Sequence, residues 1–134
     1  MIVVDSSALI AILFDEPEGR AFTTILTSEE RCVMSAVNVH ETACVLRARH
    51  GAAALSRLWR LLAVCEIEIA SFDEAQMRVA IDAFDRFGKG VHSKARLNLA
   101  GCAAYALAVS LNAPLLFKGN DFPETDVQIY MSER

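Results

Sequence analysis

The chain has 134 residues, 54% of them apolar and 22% charged, and a formal charge of −4. A chain of this length can bury roughly two thirds of its unfolded surface as one domain, without disulfides or a structural metal. The composition speaks against disorder, and the acidic balance against a uniformly basic nucleic-acid binder, while leaving room for a local basic patch.

The opening run Ile2-Val3-Val4 stops at Asp5. With no polar alternation, it reads as a strand buried on both faces, the habit of parallel sheets covered by helices. Ligands of such sheets bind just beyond the carboxyl ends of the strands, which is where Asp5 stands. Ser6 or Ser7 is placed to cap a short helix through Leu13. The stretch Asp15-Glu16-Pro17-Glu18 ends it and starts a second helix running to about Leu26, since proline suits a first turn and acids favour that end of the dipole. Ser28 to Arg31 reads as a loop and Cys32 to Met34 as a short second strand.

A long helical pattern covers Val37 to His50 and breaks at Gly51, and a further helix is expected over Ala52 to Ala63. Glu66 to Phe72 alternates acids with Ile67 and Ile69, which predicts a half-exposed strand at a sheet edge. Asp73 caps the next helix, where Ala75, Val79, Ala80 and Phe84 keep helical spacing as far as Gly88-Lys89-Gly90. Gly88 to Asn98 is a loop, Leu99 to Leu111 another helix, and Leu115 to Phe117 a buried strand led in by Pro114. Gly119-Asn120-Asp121 is a turn, and Val127 to Tyr130 is read as a last short strand. Strands alternating with helices predict an α/β fold with a largely parallel sheet, built as one domain over residues 1–134.

Cys32, Cys44, Cys65 and Cys102 are far apart and flanked mainly by apolar residues, with no CxxC pair for zinc or redox work. They read as buried, reduced thiols. The apolar start has no basic leader and is interrupted by Asp5, so neither a signal peptide nor a membrane span is expected and the protein is placed in the cytoplasm.

Three acids are candidates for chemistry. Asp5 is the first. Glu41 is the second, because Val37 and Val45 stand one helical turn to either side and suggest that it points inward. A buried carboxylate needs a cation, a donor or a metal; a boundary glutamate meeting Arg47 or Arg49 satisfies the same pattern. Asp121 is the third, placed after the strand Leu115 to Phe117, although aspartate also serves turns by bonding its own backbone. Three such acids converging at strand ends would make a hard oxygen site suited to magnesium or manganese, ions that activate water toward phosphodiesters. Ser7 is placed to assist water near Asp5. The loop carrying Lys89, His92, Lys94 and Arg96 contains no acid, so it is either a solvated loop or a contact for phosphates. His40-Glu41 opens like a zinc-protease helix, but Cys44 stands where the second histidine belongs. There is no phosphate loop, no dinucleotide fingerprint and no serine-hydrolase elbow.

Taken together, IVVDSSALIAIL, SAVNVHETACVL, EIEIASFDEAQ, FGKGVHSKARLN, CAAYALA and PLLFKGNDFPETDV occur in an order that resembles the PIN-domain ribonucleases, specifically VapC toxins of toxin-antitoxin pairs. The resemblance spans nearly the whole chain. It implies an α/β/α sandwich, RNA cleavage dependent on magnesium or manganese, a homodimer, and a cognate VapB-like antitoxin that blocks the site. Carried over by position, Asp5 and Glu41 match the first two metal-binding acids and Asp121 the fourth, with Asp126 as a substitute. In an enzyme of this kind the basic loop would set Lys89, Lys94 and Arg96 near the substrate. The third acid of the family follows a glycine in a segment like Leu-Asn-Leu-Gly-Asp-Cys; here the segment reads Leu97-Asn98-Leu99-Ala100-Gly101-Cys102, with Gly101 in the acid's place. Glycine inside a helix costs about 1 kcal/mol relative to alanine, so stability does not explain it. The expectation is a PIN fold with impaired turnover, or an inactive binding module that still holds antitoxin or RNA.

Overall fold

In the computed structural model, which describes residues 1–131, four parallel strands stand in the order β3-β2-β1-β4. The strands are β1 (Ile2–Val4), β2 (Cys32–Ser35), β3 (Glu68–Ala70) and β4 (Leu115–Leu116). Six helices connect and flank them: α1 (Ser6–Leu13), α2 (Gly19–Leu26), α3 (Ala36–His50), α4 (Leu55–Val64), α5 (Glu74–Phe87) and α6 (Leu99–Leu111). Because successive strand residues point to opposite faces, Ile2, Val4, Cys32, Met34 and Leu116 join one apolar cluster with α1, α2, α3 and α4. Val3, Val33 and Leu115 join a second cluster with α5 and α6. The sheet is thus covered on both faces, which makes an α/β/α sandwich and accounts for the unalternated apolar runs.

Where local chemistry is strong, expectation and structure agree. Gly51 adopts φ +84°, the region glycine tolerates, and ends α3. Asp73 caps α5 by accepting from the Gln76 N–H, and β3 is the exposed edge strand.

The differences are physical ones. The cap of α1 is Asp5 rather than Ser6 or Ser7: its backbone is extended and its carboxylate accepts the Ser7 N–H. The helix after Pro17 begins only at Gly19, where α2 lies so close to α1 that a Cβ would stand 2.7 Å from the Ala11 carbonyl oxygen. Ala52–Ala54 form a tighter turn before α4. The expected strand Glu66 to Phe72 shortens to Glu68–Ala70. The expected strand Val127 to Tyr130 is a single bridge of Ile129 to Leu115, held by the Leu115 N–H on the Gln128 carbonyl and the Tyr130 N–H on the Leu115 carbonyl. Cys32, Cys65 and Cys102 are buried, but Cys44 is exposed, because the buried face of α3 is Asn38, Val39, Thr42 and Leu46. No helix among the described residues is long and apolar enough to cross a membrane.

Candidate active site

Asp5 lies at the carboxyl end of β1, the central strand between β2 and β4, and is 7% exposed. Its Oδ2 accepts the Ser7 hydroxyl at 2.6 Å and the Ser7 N–H at 3.0 Å. The Ser7 oxygen in turn accepts the Lys118 N–H at 2.9 Å, which ties the chain leaving β4 to the acid. Burial pushes the Asp5 carboxyl up to about 6 from its ordinary 3.8; the bonds from Ser7 oppose this and the charge of Glu41 adds to it. Asp5 therefore combines an N-cap role with a buried charge facing a second acid.

Glu41 reaches this region from α3, but it is half-buried rather than inward-pointing. Val37 and Val45 are also only half-buried, so the stripe taken from the sequence is the helix's boundary and its core face is turned by one position. Neither Arg47 nor Arg49 is paired with Glu41.

The residue that sequence reasoning missed is Asn38, fully buried one turn before Thr42. Its Nδ2 donates to the Ala100 carbonyl at 2.9 Å and to the Ser6 hydroxyl at 3.0 Å, and stands 3.5 Å from Asp5 Oδ1. The carbonyl can only accept, so the amide's orientation is fixed. Asn38 Oδ1 has no partner. The sequence carried little signal for it, because Asn38 stands in the first turn of α3, where a polar residue is ordinary.

Ala100 leads directly to Gly101 in the first turn of α6, so Asn38 brings the glycine position beside Asp5. Asn98 caps this helix by accepting the Gly101 N–H at 2.8 Å. The loop before it carries Lys89, Lys94 and Arg96, all exposed, and is pinned by the Lys89 N–H on the Leu97 carbonyl and by two backbone N–H groups on the His92 ring. Its cations precede the start of α6.

Asp121 sits exposed in the turn after β4, and the structure gives it no bond to Asp5 or Glu41. Asp126 is committed elsewhere: it accepts the Tyr105 hydroxyl and Arg86 Nη2, the latter at 2.9 Å, and the Tyr105 bond holds its carboxyl below the usual range. That removes it as a substitute for Asp121. Lys118 is drawn to Glu16 at 3.1 Å and Glu18 at 3.0 Å. Among the described residues, no three Asp, Glu, His or Cys side chains form a group that could hold a metal, so the expected triad is not assembled. What remains are two hard oxygen donors, Asp5 and Glu41, of which Asp5 is raised chiefly by burial with a smaller contribution from the charge of Glu41. This pair fits magnesium, which takes one or two carboxylates and keeps its waters.

Residues 2–128 match the PIN domain family profile. The chain is 36% identical over 132 residues to Ribonuclease VapC28 of Mycobacterium tuberculosis, covering 98% of this chain and 99% of the relative. It is 39% identical over 127 residues to Ribonuclease VapC36 of the same organism, covering 94% and 91%. Among solved structures it is similar to VapC20 of Mycobacterium tuberculosis, described as a Sarcin-Ricin loop cleaving toxin, with a TM-score of 0.78, 15% identity and coverage of 95% and 96%. It is also similar to VapBC2 of Rickettsia felis bound to a promoter DNA fragment, with a TM-score of 0.75, 14% identity and coverage of 96% of each chain. With the carboxylate at the end of the central strand, the helix bearing Glu41 and these matches in hand, the chain belongs to the PIN-domain family, among the VapC ribonucleases.

Proposed function

We propose that this protein is a VapC-type toxin endoribonuclease using magnesium or manganese, with turnover impaired because Gly101 stands where the family carries an acid. The observation that carries the reading is the buried Asp5 carboxyl, raised to about 6, facing Glu41 beside the first turn of α6. Asp5 and Glu41 would hold the ion, and Asp121 is assigned the remaining acidic position on the family resemblance. Such an ion activates water toward a phosphodiester and neutralises charge at phosphorus. Ser7 orients Asp5 through its hydroxyl, while Lys89, Lys94 and Arg96 meet the RNA phosphates. Asn38 keeps α3, β1 and α6 in register around the carboxylates.

A VapB-like antitoxin is the proposed partner, supported by solved relatives described as toxin-antitoxin complexes. A homodimer is supported by an apolar groove of about 360 Å³ that includes Met77, Ile81, Phe84 and Leu99, with Leu99 75% exposed beside the site. Gly101 at the family's acid position, with no metal-holding group of three such side chains among the described residues, favours one second reading: a binding module that keeps RNA and antitoxin but has lost catalysis.

Cleavage of structured RNAs with and without manganese, run beside calorimetric titration of the ion, tests the proposal. Slow cleavage that requires the ion is expected. Ion binding without cleavage, or no ion binding at all, favours the binding module; cleavage undiminished by EDTA overturns the metal-dependent reading.

A further inference from the structure

The loop between α5 and α6 carries Lys89, Lys94 and Arg96, all exposed and none with a carboxylate partner among the described residues. It is nonetheless a tied structure. The Lys89 N–H donates to the Leu97 carbonyl and the Leu97 N–H to the Phe87 carbonyl, both at 2.9 Å, which closes the base of the loop. Ala95 and Leu97 are buried and seat it on the core, while Lys94 and Arg96 face solvent.

His92 sets the shape between these anchors. Its Nδ1 accepts the Lys94 N–H at 3.0 Å and the Ala95 N–H at 2.9 Å, and its ring packs on Phe87 with the centroids 6.0 Å apart. A backbone N–H can only donate, so the imidazole serves here through a lone pair on Nδ1. Arg96 comes next but one after Lys94 with φ +56°, in the left-handed region that residues other than glycine adopt rarely. Such a conformation persists only where its surroundings fix it, and strain of this kind gathers at functional sites. The fixing bonds stand on either side of Arg96: Ala95 N–H on His92 and Leu97 N–H on Phe87.

The loop also has a defined place relative to the carboxylates. Arg96 is four residues from Ala100, a separation that a fully extended chain spans in about 14 Å. The Ala100 carbonyl accepts from the Asn38 amide, which also stands beside Asp5. A loop held in one shape therefore sets where its cations stand with respect to that acid.

We infer that His92 is the positioning residue for RNA binding, its Nδ1 latching the loop so that Lys94 and Arg96 are presented to RNA phosphates already ordered. It rests on the ribonuclease reading above and adds what holds the cations assigned to the substrate. Preordering matters because a loose loop must give up its freedom on binding, at the expense of affinity.

The test measures anisotropy of a labelled hairpin RNA titrated with the full chain in EDTA over a salt series, together with the Tm of each protein. Wild type should bind saturably. H92A keeps every cation yet should bind roughly tenfold more weakly, the worth of two lost hydrogen bonds. H92N should restore the affinity, because an asparagine side-chain oxygen accepts backbone N–H groups a few residues on. R96G should keep its Tm or raise it, since glycine relieves the left-handed backbone, while the slope of log affinity against log salt falls by about 0.7. A simple stabilising role for the loop would not separate Tm from affinity in this way. H92A binding as wild type does, H92N binding as weakly as H92A, or an unchanged slope in R96G overturns the latch and leaves the ribonuclease reading standing. Should H92A fail to fold, H92N and R96G decide: H92N weaker than wild type overturns the latch, and wild-type affinity in H92N with the reduced slope in R96G supports it. No binding of RNA by the wild-type chain defeats both readings, and binding of a polyglutamate peptide in place of RNA overturns the choice of partner.

Discussion

The side-chain amide of Asn38 donates to the carbonyl oxygen of Ala100 across 2.9 Å, and through that bond α3 holds the first turn of α6 against the end of β1. The same amide bonds Ser6 and stands near Asp5, so three elements distant in sequence meet on one fully buried side chain. Replacing Asn38 with Ala removes its bonds to the Ala100 carbonyl and the Ser6 hydroxyl and opens a void. A loss of about 2–4 kcal/mol is expected from urea denaturation. A loss below 1 kcal/mol would show that the network is not what holds α6 in place.

Asp5 makes stability depend on pH. Its folded carboxyl titrates near 6 against an ordinary 3.8, so between those values the native state binds more protons than the unfolded chain. Stability contributed here is present at low pH and lost as pH rises through that window, by about 3 kcal/mol at neutral pH. The D5N protein should therefore be more stable than wild type near pH 7.5 in EDTA and inactive on RNA, with the gap closing near pH 4. Denaturation curves for the two proteins that stay parallel across the range would refute this.

Magnesium should reverse part of that loss, because an ion bound only to the native state stabilises by mass action and requires the ionised carboxylate. The rise in Tm on adding millimolar magnesium should be present near pH 7.5, shrink as pH falls through 6, and vanish in D5N. An equal rise in D5N would assign the effect to other sites.

Gly101→Asp is the direct test of the missing acid. A Cβ there would lie 3.2 Å from Asn98 Oδ1 and 3.4 Å from Leu97 Cδ2, so the cap must shift by a few tenths of an ångström. Against that, glycine in a helix costs about 1 kcal/mol and an acid in the first turn favours the dipole by about 0.3–1 kcal/mol, so stability should change little. Partners outside the ligand set already alter metal affinity about 10- to 100-fold, so a new ligating carboxylate should raise magnesium affinity at least about tenfold and raise RNA cleavage with it. Unchanged affinity and cleavage would mean that position 101 plays no part.

The Tyr105 hydroxyl and Arg86 together fasten Asp126, and with it the segment after β4. Tyr105→Phe should cost about 1 kcal/mol. Asp126 is held below its ordinary 3.8, so its contribution is present above that value and lost as pH falls through the folded one. The difference between wild type and Y105F should accordingly narrow in acid. A difference independent of pH would trace the loss to packing of the ring instead.

The sequence by itself determined the layered fold. The apolar runs of β1 and β2, the cap at Asp73 and the break at Gly51 are local signals, and local signals suffice to order strands and helices. It also marked Asp5, because a carboxylate after a buried strand is conspicuous in one dimension, and it marked Gly101 as a departure from the family pattern. What only the tertiary structure decided is who meets whom. Glu41 is a boundary residue because α3 is turned by one position, and Asp126 is spent on Arg86 and Tyr105. Cys44 faces solvent, and Asn38 rather than a third acid ties α6 to Asp5. Such pairings depend on the rotation of helices and the packing of side chains distant in sequence, which periodicity constrains only to within a position or two.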